Sequence, residues 1–179
     1  MTDFTFYTTE NASAPVKKIF SGIQQAYGFI PNLFAYMAEA PVTVEAYLAL
    51  NDFVSKTSLT PAEQQTALLT ASVENGCGFC TVAHTAIGKM KSASEQSLQA
   101  ICSHNEITDP KDRALVNFTQ SIMRKRGRLE ESGIQAFLAA GFTKQQIFEV
   151  ILIVAIKTLS NYSNLLTKPE PNKELLAML

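Results

Sequence analysis

The residues whose types and spacing could do chemistry are Cys77, Cys80 and His84, in the run Glu74-Asn75-Gly76-Cys77-Gly78-Phe79-Cys80-Thr81-Val82-Ala83-His84. On a helix, at roughly 100° per residue, Cys80 falls about 60° from Cys77 and His84 about 20° from it, so all three share one stripe. Two sulfurs three residues apart can close a small disulfide with little backbone movement. An imidazole four residues beyond Cys80 is placed to accept its proton. Gly76 is suited to end one helix, which puts Cys77 in the first turn of the next, where unpaired N–H groups and the helix dipole favour a thiolate. A free thiol titrates near ~8.5, and such a setting commonly lowers that value. The thiolate attacks a peroxide or a disulfide, and the second cysteine then displaces the product and leaves an internal disulfide. Spacing alone does not order the pair, because His84 favours Cys80 as the nucleophile and the helix N-terminus favours Cys77.

Other readings of the same residues stay open. A Cys-x-x-Cys can bind zinc, which would need a fourth ligand beside Cys77, Cys80 and His84, and the candidates are Cys102 and His104. Cys102 shares an apolar face with Leu98 and Ile101, as a core cysteine would, and His104 follows in a polar loop. The pair could also be inert. Neither a metal nor a resident cofactor is expected.

The elements that must position these groups read as helices. Pro41 opens a segment with Val44, Tyr47, Leu48, Phe53 and Val54 at helical spacing. Thr60-Pro61-Ala62-Glu63 reads as a capping box opening a helix through Val73, and Glu63 is explained by that position. After Asn75-Gly76 the motif helix runs from about 77 to 90. Ser92-Ala93-Ser94-Glu95 reads as another capping box, ahead of Leu98 and Ile101. Asp109-Pro110 starts a helix stopped by Gly127, a short helix spans about 130 to 140, and Thr143 to Gln146 cap a last long helix rich in Ile and Val from Ile147 to Leu159. Phe4 to Thr8 alternates and suggests a short edge strand. Leu59-Thr60 leading to Asn75 echoes Phe142-Thr143 leading to Asn161, with an offset drifting from 83 to 86 residues, an echo compatible with a duplicated helical unit. No linker divides the chain, so residues 1–179 are expected to form one domain.

Bulk composition narrows the class. Of 179 residues 46% are hydrophobic and only 17% charged, with a formal net charge of −1. A chain so short of charge has difficulty covering its surface, so a homo-oligomer is expected. The basic cluster Arg124 to Arg128 fits a helix C-terminus rather than a nucleic-acid face, and no nucleic-acid partner is expected. The first residues carry no signal-peptide pattern, and the longest purely apolar run, Val150 to Ile156, is far short of a membrane span. Three cysteines, two of them in Cys-x-x-Cys, suit a soluble cytoplasmic protein with redox or metal chemistry.

The stretch from Leu59 through His84 resembles the carboxymuconolactone decarboxylase superfamily, nearest its alkylhydroperoxidase D-like branch. Gly28-Phe29-Ile30-Pro31-Asn32-Leu33-Phe34 with Pro41 resembles the entry segment of the peroxidase-related members, and Leu159-Ser160-Asn161-Tyr162 their final helix. The resemblance implies an all-α fold, trimers or hexamers, and reduction of hydroperoxides or disulfides by the cysteine pair, recycled by a dithiol reductant. It implies a peroxidatic Cys80, a resolving Cys77 and His84 as proton acceptor. The sequence departs from the family at two relay positions. Gln65 stands where the relay glutamate is expected, and Phe79 stands where the best-studied form has a histidine. Gln65 cannot act as a base, which leaves Glu63 and Glu74 as nearby carboxylates for the relay. Two alternatives are a lactone-directed decarboxylase, whose chemistry has no need of the cysteine pair, and a non-enzymatic redox switch.

Overall fold

The structure, a computed structural model, describes residues 3–179, and these form helices with no strand among them. In chain order they are α1 Ala14–Tyr27, α2 Asn32–Met37, α3 Pro41–Ser55, α4 Pro61–Glu74, α5 Gly78–Met90, α6 Glu95–Ser103, α7 Pro110–Lys125, α8 Glu131–Ala139, α9 Lys144–Thr167 and α10 Lys173–Leu176. The all-α expectation holds, and α1, α2 and α10 are additions to the elements read from the sequence. The edge strand expected at Phe4 to Thr8 is absent: the segment is extended coil, tied down where Tyr7 N–H donates to the Ala35 carbonyl at 3.1 Å and where Phe6 packs edge-on against Tyr36. Its alternation serves packing on α2, because among the described residues there is no second strand to pair with it.

Both capping boxes that frame the core form. The Thr60 hydroxyl accepts from Glu63 N–H at 3.2 Å while the Glu63 carboxylate accepts from Thr60 N–H at 2.8 Å, and Thr143 and Gln146 repeat the arrangement at 3.2 and 2.9 Å. The start of α6 differs from expectation. Its N-cap is Ser94, whose hydroxyl accepts from Ser97 N–H, and Ser92 sits in the preceding turn with φ of +60°.

The helix α4 lies at the centre, packed against α5, α6, α7 and α9. It is buried nearly all round, because Thr66, Ala67, Thr70, Ala71 and Ser72 are small enough to admit neighbours on several sides. Leu68 joins the main core, and Leu69 joins a second cluster with Leu98, Ile101, Ile107 and Val116. The main core is built on Phe20, Ile23, Leu115, Phe137, Val150, Ile153 and Ile156, with Phe118, Phe137 and Phe142 stacked at 4.1 and 4.3 Å. Each such side chain contributes about 1.5–3 kcal/mol by leaving water.

The two halves of the internal echo, α4 and α9, are neighbours running in the same sense. The N–H and hydroxyl of Ser58, before α4, donate to Glu149 near the start of α9, and Asn75 Nδ2 donates to Asn161 Oδ1 at 2.9 Å towards the other end. At 24 residues, with a mean hydropathy of 1.3 over its most apolar window, α9 is long and apolar enough to cross a membrane by length and composition. Here it packs against α2, α3, α4 and α7, and its inward face carries Lys157, Asn161 and Asn164.

Because Ile153 is fully buried at the centre of that face, Ile153→Ala is expected to lower the unfolding free energy by about 2–5 kcal/mol. Urea unfolding followed by far-ultraviolet circular dichroism measures this, and a loss well under 1 kcal/mol would contradict the packing described.

Candidate active site

The turn between α4 and α5 sets the position of the first cysteine. Gly76, at φ of +68°, occupies the left-handed position that ends α4; its N–H donates to the Val73 carbonyl at 2.9 Å, and Cys77 N–H donates to the Ser72 carbonyl at 3.0 Å. These paired bonds are a Schellman turn, and only a residue without a Cβ adopts its glycine conformation freely. Cys77 is thereby the N-cap of α5, with extended backbone, rather than a first-turn residue as its place after Gly76 suggested. Cys80 sits in the first turn and His84 one turn further on.

Both sulfurs are buried, each residue being 2% exposed, and both thiols are free. Asn164 Nδ2, from α9, lies 3.2 Å from Cys80 Sγ and 3.9 Å from Cys77 Sγ, so it donates chiefly to Cys80. The two sulfurs are not equivalent. A hydrogen bond from the Cys77 thiol, then the charge of Lys157 and the amides of Asn164 and Asn161, outweigh burial and bring Cys80 down to about 5. Cys77 is pushed well above the ordinary thiol range, because it holds the hydrogen bond to Cys80, is itself buried and faces the Cys80 charge. The surroundings thus favour one thiolate, on Cys80. The donors that meet it are an ammonium and carboxamide N–H groups, which suit an anion rather than a metal ion.

His84 joins the cluster through an intermediary. Its Nδ1 lies 3.0 Å from Gln65 Oε1 on α4, which accepts a hydrogen bond and so places the ring proton on Nδ1. Its Nε2 lies 2.9 Å from Lys157 Nζ and accepts from it. Burial, and then the Lys157 charge, hold His84 well below the usual imidazole range, so the ring is neutral near pH 7. Lys157, 1% exposed, is the cation of the site. Burial lowers its pKa, and the charges of Cys80 and Cys77 oppose that. Among the described residues His84 makes no hydrogen bond to either sulfur; the order is Gln65, His84, Lys157, Cys80.

The carboxylates named as relay candidates are committed elsewhere. Glu63 caps α4 and pairs with Lys111 at 2.7 Å, and Glu74 makes a two-pronged pair with Arg124 at 2.5 and 2.7 Å. Gln65, which cannot be a base, is the residue that touches His84. Cys102 is half-buried beside Thr85, 3.5 Å from its hydroxyl, and His104 is the exposed left-handed residue ending α6.

Lys157, Asn161 and Asn164 went unread in the sequence. They recur at i, i+4 and i+7, one face of α9, and a single cation directly after the apolar run Val150 to Ile156 was the available signal. Tyr47 of α3, 9% exposed, also faces the pair: burial raises its hydroxyl pKa and the Cys80 charge adds to the effect. Helical spacing gave no sign of that proximity.

Residues 41–109, from the start of α3 to the cap of α7, match the profile of the Carboxymuconolactone decarboxylase family. No curated protein sequence matches the chain significantly. Solved structures similar to it extend over nearly its full length. A peroxidase-related protein from Ralstonia eutropha JMP134, described as an alkylhydroperoxidase AhpD core, superposes with a TM-score of 0.86 at 23% identity, covering 98% of this chain and 94% of the other. A peroxidase-related protein from Silicibacter sp. TM1040 gives 0.80 at 22% identity, covering 97% and 92%. The debrominase Bmp8, as a cysteine-to-alanine variant in complex with 2,3,4-tribromopyrrole, gives 0.78 at 18% identity, covering 99% and 96%. The matched segment holds the cysteine motif and its supporting α4, and the solved structures reproduce the whole helical arrangement, so residues 41–109 are similar to the Carboxymuconolactone decarboxylase family and the chain as a whole has an AhpD-like fold.

Proposed function

We propose that the protein is a thiol-dependent oxidoreductase of alkylhydroperoxidase type, with Cys80 as the attacking thiolate and Cys77 as the resolving thiol. The observation that carries this reading is the inequality of the two sulfurs, one facing Lys157 and the Asn164 amide, the other donating to it. Cys80, held as the thiolate beside the Lys157 ammonium, attacks one oxygen of a hydroperoxide. The O–O bond breaks, the departing alkoxide takes a proton from the Lys157 ammonium, and Cys80 is left as a sulfenic acid. The Cys77 thiol then condenses with it, releasing water and forming the internal disulfide, which an external dithiol reduces. In this scheme Lys157 is the proton donor to the leaving alkoxide, and His84, neutral and fixed by Gln65, holds its nitrogen in place.

A second reading, removal of halogen from an aromatic ring by the same thiolate, is supported by the likeness to the debrominase Bmp8. A lyase reaction on a lactone gives the cysteine pair no task. The proposal includes self-assembly, supported by an exposed apolar stripe on α9 made of Phe148, Ile151, Tyr162, Leu165 and Leu166. Sedimentation at micromolar concentration is expected to show a species larger than the monomer; a monomer there would remove that part.

Ultraviolet thiolate absorbance is expected to rise with pH through a midpoint of about 5 in the wild type and to lose that step in Cys80→Ser. Lys157→Met removes the cation, so the midpoint moves up towards the ordinary thiol value of ~8.5. A wild-type midpoint already at that value would contradict the assignment of the anion.

Reduced protein given an organic hydroperoxide is expected to consume it and form the Cys77–Cys80 disulfide. Cys80→Ser should consume none. Cys77→Ser should turn over once and stop at a sulfenic acid that dimedone traps, and Lys157→Met should react about 10²–10⁴-fold more slowly. Equal consumption by the two cysteine variants would defeat the reading.

A further inference from the structure

Two buried polar atoms beside Cys80 have no hydrogen-bond partner, Asn161 Nδ2 and Asn164 Oδ1. Their residues are 0% and 3% exposed, so water does not satisfy them from the surface. A buried unpaired donor or acceptor costs about 1–3 kcal/mol, and natural interiors keep few of them without a purpose. The orientation of both carboxamides is fixed by the bonds they do make. Asn161 Oδ1 accepts from Asn75 Nδ2 at 2.9 Å, which turns its Nδ2 towards the Cys80 sulfur with no other partner. Asn164 Nδ2 donates to Cys80 Sγ at 3.2 Å, which leaves its Oδ1 free. The residues share the inward face of α9 with Lys157, one and two turns further along, and Asn161 Nδ2 is turned towards the Cys80 sulfur.

A donor turned to the thiolate and an unpartnered acceptor beside it suit a small group that both accepts and donates a hydrogen bond at the attacked atom. A hydroperoxide –O–O–H does both. A disulfide and an aryl halide offer no O–H for Asn164 Oδ1 and only weak acceptors for Asn161 Nδ2. We propose that Asn161 Nδ2 and Asn164 Oδ1 are the binding subsite for the –OOH group of a hydroperoxide substrate, Asn164 accepting its O–H and Asn161 donating to its oxygen. This rests on the oxidoreductase reading and names its substrate class. As the S–O bond forms and the O–O bond breaks, the alkoxide takes its proton from Lys157. The sulfenic oxygen retains the Asn161 hydrogen bond until Cys77 displaces it as water. Asn161 thus acts as an oxyanion-type donor, a role whose loss typically lowers rates by about 10²–10³-fold.

The test compares electrophiles on one thiolate. Second-order rate constants of the reduced protein are measured by stopped flow with cumene hydroperoxide and with iodoacetamide, on the pH plateau where Cys80 is fully ionised. Asn161→Leu is paired with Asn161→Asp, which keeps the acceptor for Asn75 and replaces the donor by a carboxylate, its effect on the thiolate being read from iodoacetamide, and with Asn164→Leu. The expected result is that the ratio of hydroperoxide to iodoacetamide rate constants falls about 10²-fold in each variant of Asn161 and by at least about tenfold in Asn164→Leu. Iodoacetamide reactivity of each variant shows that the thiolate and its surroundings remain assembled. If the wild type reacts with iodoacetamide but not with the hydroperoxide, both the oxidoreductase reading and the subsite fall. If the wild type reduces the hydroperoxide and the variants keep the wild-type ratio, the subsite alone falls. An equal loss towards both reagents also overturns it, since the asparagines would then serve only the thiolate.

Discussion

A lysine ammonium in the middle of an apolar helix is the constraint on which the rest of the structure depends. Lys157 is almost wholly buried and follows a run of seven aliphatic residues on α9. Moving such a charge out of water costs several kcal/mol unless an opposite charge and hydrogen-bond acceptors meet it. Cys80 provides the charge and His84 Nε2 the acceptor. The dependence is mutual, because a thiolate sealed from solvent is no more tolerable alone than the ammonium is. Each group keeps the other ionised, and α5 has to begin where it does for the two to meet.

That requirement explains why the α4–α5 junction is built on a Schellman turn. The turn closes α4, reverses the chain through Gly76 and fixes Cys77 as the cap of α5, so the two sulfurs emerge at the helix start facing α9. Gln65, at the position where the family resemblance implies an acidic relay residue, fits the same picture. A carboxylate in contact with Nδ1 would favour the imidazolium, which beside the Lys157 ammonium would place two positive charges side by side. A carboxamide accepts the same hydrogen bond and leaves the ring neutral. The proton traffic assigned to histidine by family resemblance therefore passes to lysine in the proposed scheme.

The helix α9 meets two environments. One side presents Phe148, Ile151, Tyr162 and Leu166 outward, and the other carries Lys157, Asn161 and Asn164 into the core. This inverts the usual amphipathic arrangement, in which polar residues face out. The inversion follows from lining a buried polar site with one face while leaving the other unpartnered within the chain. It is also why composition alone makes the helix resemble a membrane span.

The sequence by itself determined the helical class, the two capping boxes, the turn at Gly76 and the nearness of Cys77 to Cys80, because all of these are local. Capping needs residues three apart, a left-handed turn needs a glycine, and two cysteines three apart in one short stretch lie close together. Folding of the chain decided everything that needed two elements at once. It set which sulfur is the anion, that His84 reaches Lys157 and not a thiol, that Glu63 and Glu74 are occupied by Lys111 and Arg124, and that α9 completes the site from more than seventy residues away in the chain. Propensity and spacing report on single helices and carry no record of which faces will meet. A pKa and a hydrogen-bond partner belong to that meeting, which is why Cys80 and His84 were legible as residues but not in their relation to each other.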